Sequence, residues 1–169
     1  MLNLSLRNEH ADDIENIFNL TQLAFLNATH TDHTEHLIVN ALRDANQLTI
    51  SVVAELDRQI IGHVAISPVE ISSGAQHWYG LGPISVAPEY QQQGVGKALI
   101  QHALQQLQQL NAAGCVVLGD PAYYSKFGFQ PHASLILDDV PAEYFQVLAF
   151  NQSIPHGTVK YHPAFEVKA

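Results

Sequence analysis

A single cysteine, Cys115, excludes an intrachain disulfide framework. Basic residues are also scarce. Seven Lys and Arg stand against 16 Asp and Glu, for a formal net charge of -9, and a chain this acidic repels a polyphosphate backbone. A general nucleic-acid binder is therefore disfavoured. No stretch approaches the roughly 18 consecutive apolar residues of a membrane span. Leu2, Leu4 and Leu6 alternate with polar residues and no cleavage site follows, so the start does not read as a signal peptide. Charged residues make up only 14%, but 47% of the chain is apolar, which is ample for a core and unlike a disordered segment. With 169 residues against a prior of about 150 per domain, one compact domain over 1–169 is expected. The expected setting is reduced and cytoplasmic.

The alternation of Leu2, Leu4 and Leu6 predicts a first strand. Asp12 and Asp13 introduce Ile14, Ile17, Phe18 and Phe25 at helical spacing, and a second helix is predicted over His33–Ala45. Leu48–Leu56 and Gln59–Ile71 are β-rich runs separated by Asp57-Arg58, which predicts an antiparallel hairpin. Trp78–Val86 is the next strand. Pro83 inside it has no N–H for a ladder, so a bulge or splaying is expected at Gly82-Pro83. The strongest helix signal runs from Gly94 to Ala113, with Leu99, Ile100, Ala103, Leu104 and Leu107 on one face and glutamines on the other. Gly114 is expected to end it, and Cys115–Leu118 to form a short buried strand. Asp120-Pro121 reads as an N-cap and first helical residue, with Gly128 as the left-handed stop. Ser134–Leu137 and Glu143–Phe150 are predicted strands, and the tail to Ala169 stays unassigned.

The chemistry concentrates where the strand ending at Val86 meets the helix beginning near Gly94. A helix N-terminus offers unpaired N–H groups and partial positive charge, and glycines let a phosphate approach the backbone. The P-loop pattern fails, because Gln91 and Ala98 stand where it needs Gly and Ser or Thr. The dinucleotide fingerprint also fails, with Leu99 at its third glycine.

Gln91, Gly94 and Gly96 do resemble motif A of the GNAT N-acetyltransferase superfamily, which binds acetyl-coenzyme A. Val86-Ala87-Pro88-Glu89-Tyr90 before them and Lys97-Ala98-Leu99-Ile100 after them continue the likeness. Farther on, Tyr123-Tyr124-Ser125-Lys126-Phe127-Gly128-Phe129 resembles the family's Tyr-x-x-x-Gly-Phe segment, and Leu118-Gly119-Asp120-Pro121 is similar to the YhbS-like branch. The resemblance implies an α/β (α+β) fold with a mixed, mostly antiparallel twisted sheet flanked by helices. It implies acetyl transfer from acetyl-CoA to an amine of a small molecule or peptide, without a metal, and it allows a homodimer. Ile84, Ser85 and Val86 would line the pantetheine arm, with the backbones of Ile84 and Val86 bonding it. Gln91 would belong to the cofactor-binding motif, and the amides across Gln92, Gln93, Gly94, Val95, Gly96 and Lys97 would hold the pyrophosphate. Tyr124 would protonate the leaving thiolate, with Tyr123 as the alternative. An acyltransferase for longer chains and a non-enzymatic acyl-CoA sensor are the competing readings.

The base is not visible. Many family members carry Glu on the strand before motif A, where this chain has Tyr79, Gly80, Leu81 and Gly82. Glu70, His63 and His77 are the nearby candidates, for which a surface or strand-edge position is the simpler expectation. His30, His33 and His36 step around a helix by about 60° each and converge poorly on an ion, so a polar loop and helix start is expected. Cys115 reads as a core thiol and Asp120 as a cap.

Overall fold

The computed structural model describes residues 2–151 and 153–169. Strand β1 (Ser5–Asn8) leads through a 3-10 turn to α1 (Ile14–Phe25) and α2 (Glu35–Asp44). The hairpin β2 (Ile50–Leu56) and β3 (Gln59–Ile71) follows, and Asp57 and Arg58 both take positive φ (50° and 67°), as its tight turn requires. Next come β4 (Trp78–Val86), α3 (Val95–Gln109), β5 (Gly114–Leu118) and the short α4 (Pro121–Tyr124). The chain closes with β6 (Leu135–Ile136), β7 (Phe145–Ala149) and β8 (Gly157–Tyr161).

The strands are ordered β1-β2-β3-β4-β5-β7, antiparallel except for the parallel β4–β5 pair. Strand β8 joins the far half of β3 at Val69–Ile71 and carries β6 parallel to itself. Side chains alternate between the two faces. Val52, Ala54, Val64 and Ile66 pack with Leu99, Ile100, Ala103 and Leu107 of α3. Val53 and Ala65 meet Ile17 of α1 and Val39 of α2 on the opposite face. Helices thus cover both faces of a mixed, mostly antiparallel sheet, as expected.

Several boundaries differ from the sequence reading. The first strand begins at Ser5, because Leu2 and Leu4 pack against the core cluster outside any ladder. Helix α2 starts at Glu35 rather than His33, whose φ of 57° is not helical. Helix α3 stops at Gln109, and Asn111 (φ 59°), not Gly114, takes the left-handed position after it. Gly114 opens β5, where its missing side chain serves packing. A Cβ there would lie 2.4 Å from the Trp78 ring and 2.6 Å from the Leu148 carbonyl oxygen. Both neighbours are rigid. Gly114→Ala is expected to destabilise the fold by about 2–3 kcal/mol, measured as a lower urea midpoint with an unchanged slope. The predicted strands 134–137 and 143–150 shorten to Leu135–Ile136 and Phe145–Ala149, because Ala142–Tyr144 forms a 3-10 turn.

Candidate active site

The site begins with a fork. Strand β4 pairs with β5 from Trp78 to Leu81 and then leaves it, while still pairing with β3 through Val86. The β3–β4 register steps between Val64, opposite Ile84, and Ile66, opposite Leu81, which places the expected bulge at Gly82 and Pro83. The Gly82-Pro83 peptide is cis.

Strand alternation decides which groups face the gap. The Ala87 N–H donates to the Ile61 carbonyl of β3 (2.8 Å), so Ser85, two residues back, also turns its backbone toward β3. The N–H and C=O groups of Ile84 and Val86 therefore point toward the side that β5 has vacated. The Gln91 side-chain amide donates to the Val86 carbonyl (3.1 Å). Ser85 differs from its neighbours, because its side chain is buried on the face that carries α1 and α2.

The turn after β4 is built to present amides. Gly94 precedes α3 with φ 88°, a conformation a side chain would strain. The Ala98 N–H closes the first helical turn onto the Gly94 carbonyl (3.1 Å), so the N–H groups of Val95, Gly96 and Lys97 stand ahead of the ladder. Gln91, Gln92, Gln93 and Gly94 are exposed, as is Lys97. Gln93 donates its side-chain amide to the Glu89 carbonyl (3.0 Å). Gln91 and Gln93 thus brace the turn through their side chains and leave its backbone to face an anion.

Helix α4 follows the end of β5. Asp120 caps it by accepting from the Ala122 N–H (2.9 Å), and Gly128 (φ 95°) ends the segment that follows, both as expected. The buried amide of Gln146 on β7 donates to the Gly119 carbonyl (3.1 Å) and fixes the approach to this helix. The two tyrosines then part. Tyr123 is half-buried, and its hydroxyl would lie 3.1 Å from a Cβ on Gly96, so it packs against the amide turn. Tyr124 is buried, 8% exposed, with its ring on Gly119 and edge-on to Phe129 (5.9 Å). Burial pushes the Tyr124 phenol up to about 12, with Tyr123 and Cys115 adding to the effect. Cys115 is wholly buried in the same cluster, and burial raises its thiol far above the usual range, so it serves as core.

Tyr161 went unremarked in the sequence because it lies in the unassigned tail. From β8 it lays its ring over Gly80, 2.4 Å from where a Cβ would be. Burial raises its phenol far above the usual range, and Cys115 and Tyr124 add to the effect. Glu70 and His77 are exposed, as anticipated, on the rim of an open cavity beside Tyr79. His63 is the exception. It is 0% exposed, facing α1 and α2 from the middle of β3, where a surface position had been expected. Of the three spaced histidines, His36 in α2 is buried edge-on against Phe18 (4.7 Å), while His30 and His33 sit before the helix in exposed left-handed turns.

A model of the acetyltransferase (GNAT) family matches residues 12–129. The N-acetyltransferase YhbS of Escherichia coli strain K12 is 38% identical over 108 residues, which are 63% of this chain and 65% of that relative's length. Among solved structures, a GNAT family acetyltransferase from Brucella melitensis in complex with acetyl-CoA superimposes with a TM-score of 0.87. It is 43% identical and covers 98% of this chain and 99% of its own. The structure of Escherichia coli YhbS in complex with CoA gives a TM-score of 0.88 at 32% identity, covering 99% of this chain and 94% of its own. A forked β4–β5 pair, an amide turn at its mouth and these likenesses over nearly the whole chain lead to one conclusion: the protein belongs to the acetyltransferase (GNAT) family.

Proposed function

We propose that the protein transfers an acetyl group from acetyl-CoA to a primary amine of a small molecule or peptide, by direct attack of the amine on the thioester. The observation that carries this reading is the open edge of β4 running into the amide turn, with Tyr124 buried beside the fork. An extended pantetheine arm can add to Ile84 and Val86 as a strand adds to a sheet edge. Its pyrophosphate then reaches the amides of Val95, Gly96 and Lys97, where the helix dipole and the lysine favour an anion on an otherwise acidic protein. The Brucella melitensis relative, which holds acetyl-CoA, supports the fit.

The chain's residues then divide the reaction. Ile84, Val86 and the turn hold and orient the thioester, which supplies most of the rate by positioning. The attacking nitrogen forms the new N–C bond as the C–S bond breaks, and the Tyr124 hydroxyl stabilises and protonates the departing sulfur. The acceptor arrives charged. An alkylamine with a pKa of about 10.4 is neutral in about one part in 2,500 at pH 7, a cost of about 4.6 kcal/mol before attack can begin.

The test is release of CoA thiol from acetyl-CoA with a panel of alkylamines and amine-bearing peptides. Amine-dependent release with formation of the acetylamide is the expected result. Turnover confined to longer acyl-CoAs would replace acetyl by a larger group. Tight acetyl-CoA binding with no turnover on any amine would make the protein an acyl-CoA sensor.

A further inference from the structure

Four residues distant in sequence form one hydrogen-bonded chain beneath α1 and α2. Arg43 of α2 grips the Glu9 carboxylate through Nε and Nη2 (both 2.8 Å). Ser51 of β2 donates its hydroxyl to the same carboxylate, and the Ser51 oxygen lies 2.8 Å from His63 Nε2. A carboxylate only accepts, and a hydroxyl has one proton to give. Ser51 must therefore accept from His63, which places the ring proton on Nε2 and leaves Nδ1 as a bare lone pair. That Nδ1 is fully buried and has no hydrogen-bond partner among the described residues. Burial also holds the ring neutral, lowering its pKa to about 4 against the opposing pull of Glu9, with Arg43 lowering it further.

The lone pair is not isolated. Ser85 stands directly across from His63 on β4, between the two residues whose backbones face the fork, and its buried Oγ also lacks a partner among the described residues. Ser67, across from Gly80 where Tyr161 covers the strand, is a second buried hydroxyl without a partner among the described residues. These three atoms lie on one face of the sheet and bracket the Leu81–Ile84 fork. A buried polar atom without a partner is costly, and water is the usual remedy. At the other end, Glu9, Arg43 and Ser51 line an open cavity of about 370 Å³, which connects the chain to solvent.

We infer that His63, Ser51 and Glu9 form a proton relay that carries the acceptor amine's surplus proton from the fork to solvent. The inference rests on the amine-acetylation reading above. The ammonium proton passes through water held at Ser85, directly across the β3–β4 pair, to His63 Nδ1. As it arrives, the Nε2 proton moves to Ser51 Oγ and the Ser51 proton to the Glu9 carboxylate, which releases it into the cavity. The chain resets after product leaves: Nδ1 gives its proton up through the opened site, while Glu9 takes one back from solvent and passes it through Ser51 to Nε2, so the whole cycle releases one proton. The second amine proton goes to the thiolate through Tyr124, so amine and thioester yield amide, thiol and one proton in solvent. The charged groups facing the ring are Glu9 from the β1–α1 connection and Arg43 from α2, while β2 and β4 bring Ser51 and Ser85 and α1 brings apolar Ile17. Low affinity of the ring for a proton suits a conductor, which must not store what it passes on.

Two variants cut the relay at different points: Ser51→Ala inside, and Glu9→Gln at the cavity rim, which keeps an amide oxygen for Arg43 and Ser51. Each is expected to lower kcat for an alkylamine about 10- to 100-fold near pH 7, with acetyl-CoA affinity within twofold of wild type. The loss should shrink as pH rises toward the amine's own pKa, and Ser51→Thr should restore the rate. An arylamine or hydrazide, which arrives neutral, should be acetylated by the variants at the wild-type rate. Equal losses at every pH and for both amine classes, or no loss in Glu9→Gln, would overturn the relay. A wild-type protein that acetylates neither class overturns the amine reading itself, and the relay with it.

Discussion

Gly96→Glu is expected to weaken acetyl-CoA binding at least 100-fold, read by titration calorimetry. A single helix-end contact contributes about 0.3–1 kcal/mol when exposed and up to about 2 when partly buried. Tight binding of a pyrophosphate therefore needs several amides at once. In the proposed site Val95, Gly96 and Lys97 would supply them from one turn, and Gly96 is the central one. A side chain there meets the Tyr123 hydroxyl at 3.1 Å on one side and the phosphate's approach on the other. A carboxylate adds repulsion of about 4 kcal/mol at 4 Å for an effective dielectric near 20. A 100-fold loss corresponds to about 2.7 kcal/mol, so even partial solvation of the new charge leaves enough to produce it. Gly96→Ala separates the two causes. Its methyl presses on the far end of one tyrosine without charge, and a loss under 10-fold is expected. Unchanged affinity in Gly96→Glu would place the pyrophosphate elsewhere.

The features legible in the sequence are those whose cause is local. Asp57-Arg58 forms the hairpin turn, Pro83 breaks the ladder, Asp120 caps α4, and the glycines at 94, 96 and 128 sit where a backbone must bend or be approached. Each effect involves residues within a few positions of its cause. Gly114 was misread because its reason lies in Trp78 and Leu148, 36 positions before and 34 after it, while Asn111 could take the left-handed stop unaided. The His63 chain was invisible for the same reason. Its members come from the β1–α1 connection, α2, β2 and β3, and only the sheet register brings them together. Tyr161 reaches Gly80 from a strand whose pairing with β3 no period in the tail announces. Motif A names the groups that could hold a cosubstrate because they are consecutive, whereas the groups that would move protons are gathered by tertiary structure.

Tyr124→Phe is expected to lower kcat by about 100- to 1,000-fold, with acetyl-CoA affinity nearly unchanged. Its phenol is buried against Gly119, Phe129 and Tyr123, and its proton is held to about 12. A thiolate with a pKa near 8.5 cannot take that proton freely, since the transfer is uphill by about 5 kcal/mol. Tyr124 therefore does not act as a free-standing acid. In the proposed reaction it would donate a hydrogen bond to sulfur as negative charge develops, and complete the transfer as the new amide nitrogen sheds its proton. Removal of one such donor in a site closed to water typically costs about 100- to 1,000-fold. The raised pKa fixes the sign of the pH effect. The protonated, donating form persists below about 12, so no Tyr124-dependent loss should appear as pH climbs through 9 and 10, where an ordinary phenol begins to ionise. Tyr123→Phe provides the contrast. Its hydroxyl sits on Gly96 at the amide turn, so the loss should fall on acetyl-CoA affinity and leave kcat within a few-fold. Reversal of that pattern, with kcat collapsing in Tyr123→Phe and intact in Tyr124→Phe, would move the donor to Tyr123. An intact kcat in both would show that the thiolate leaves this fork without a phenol's help.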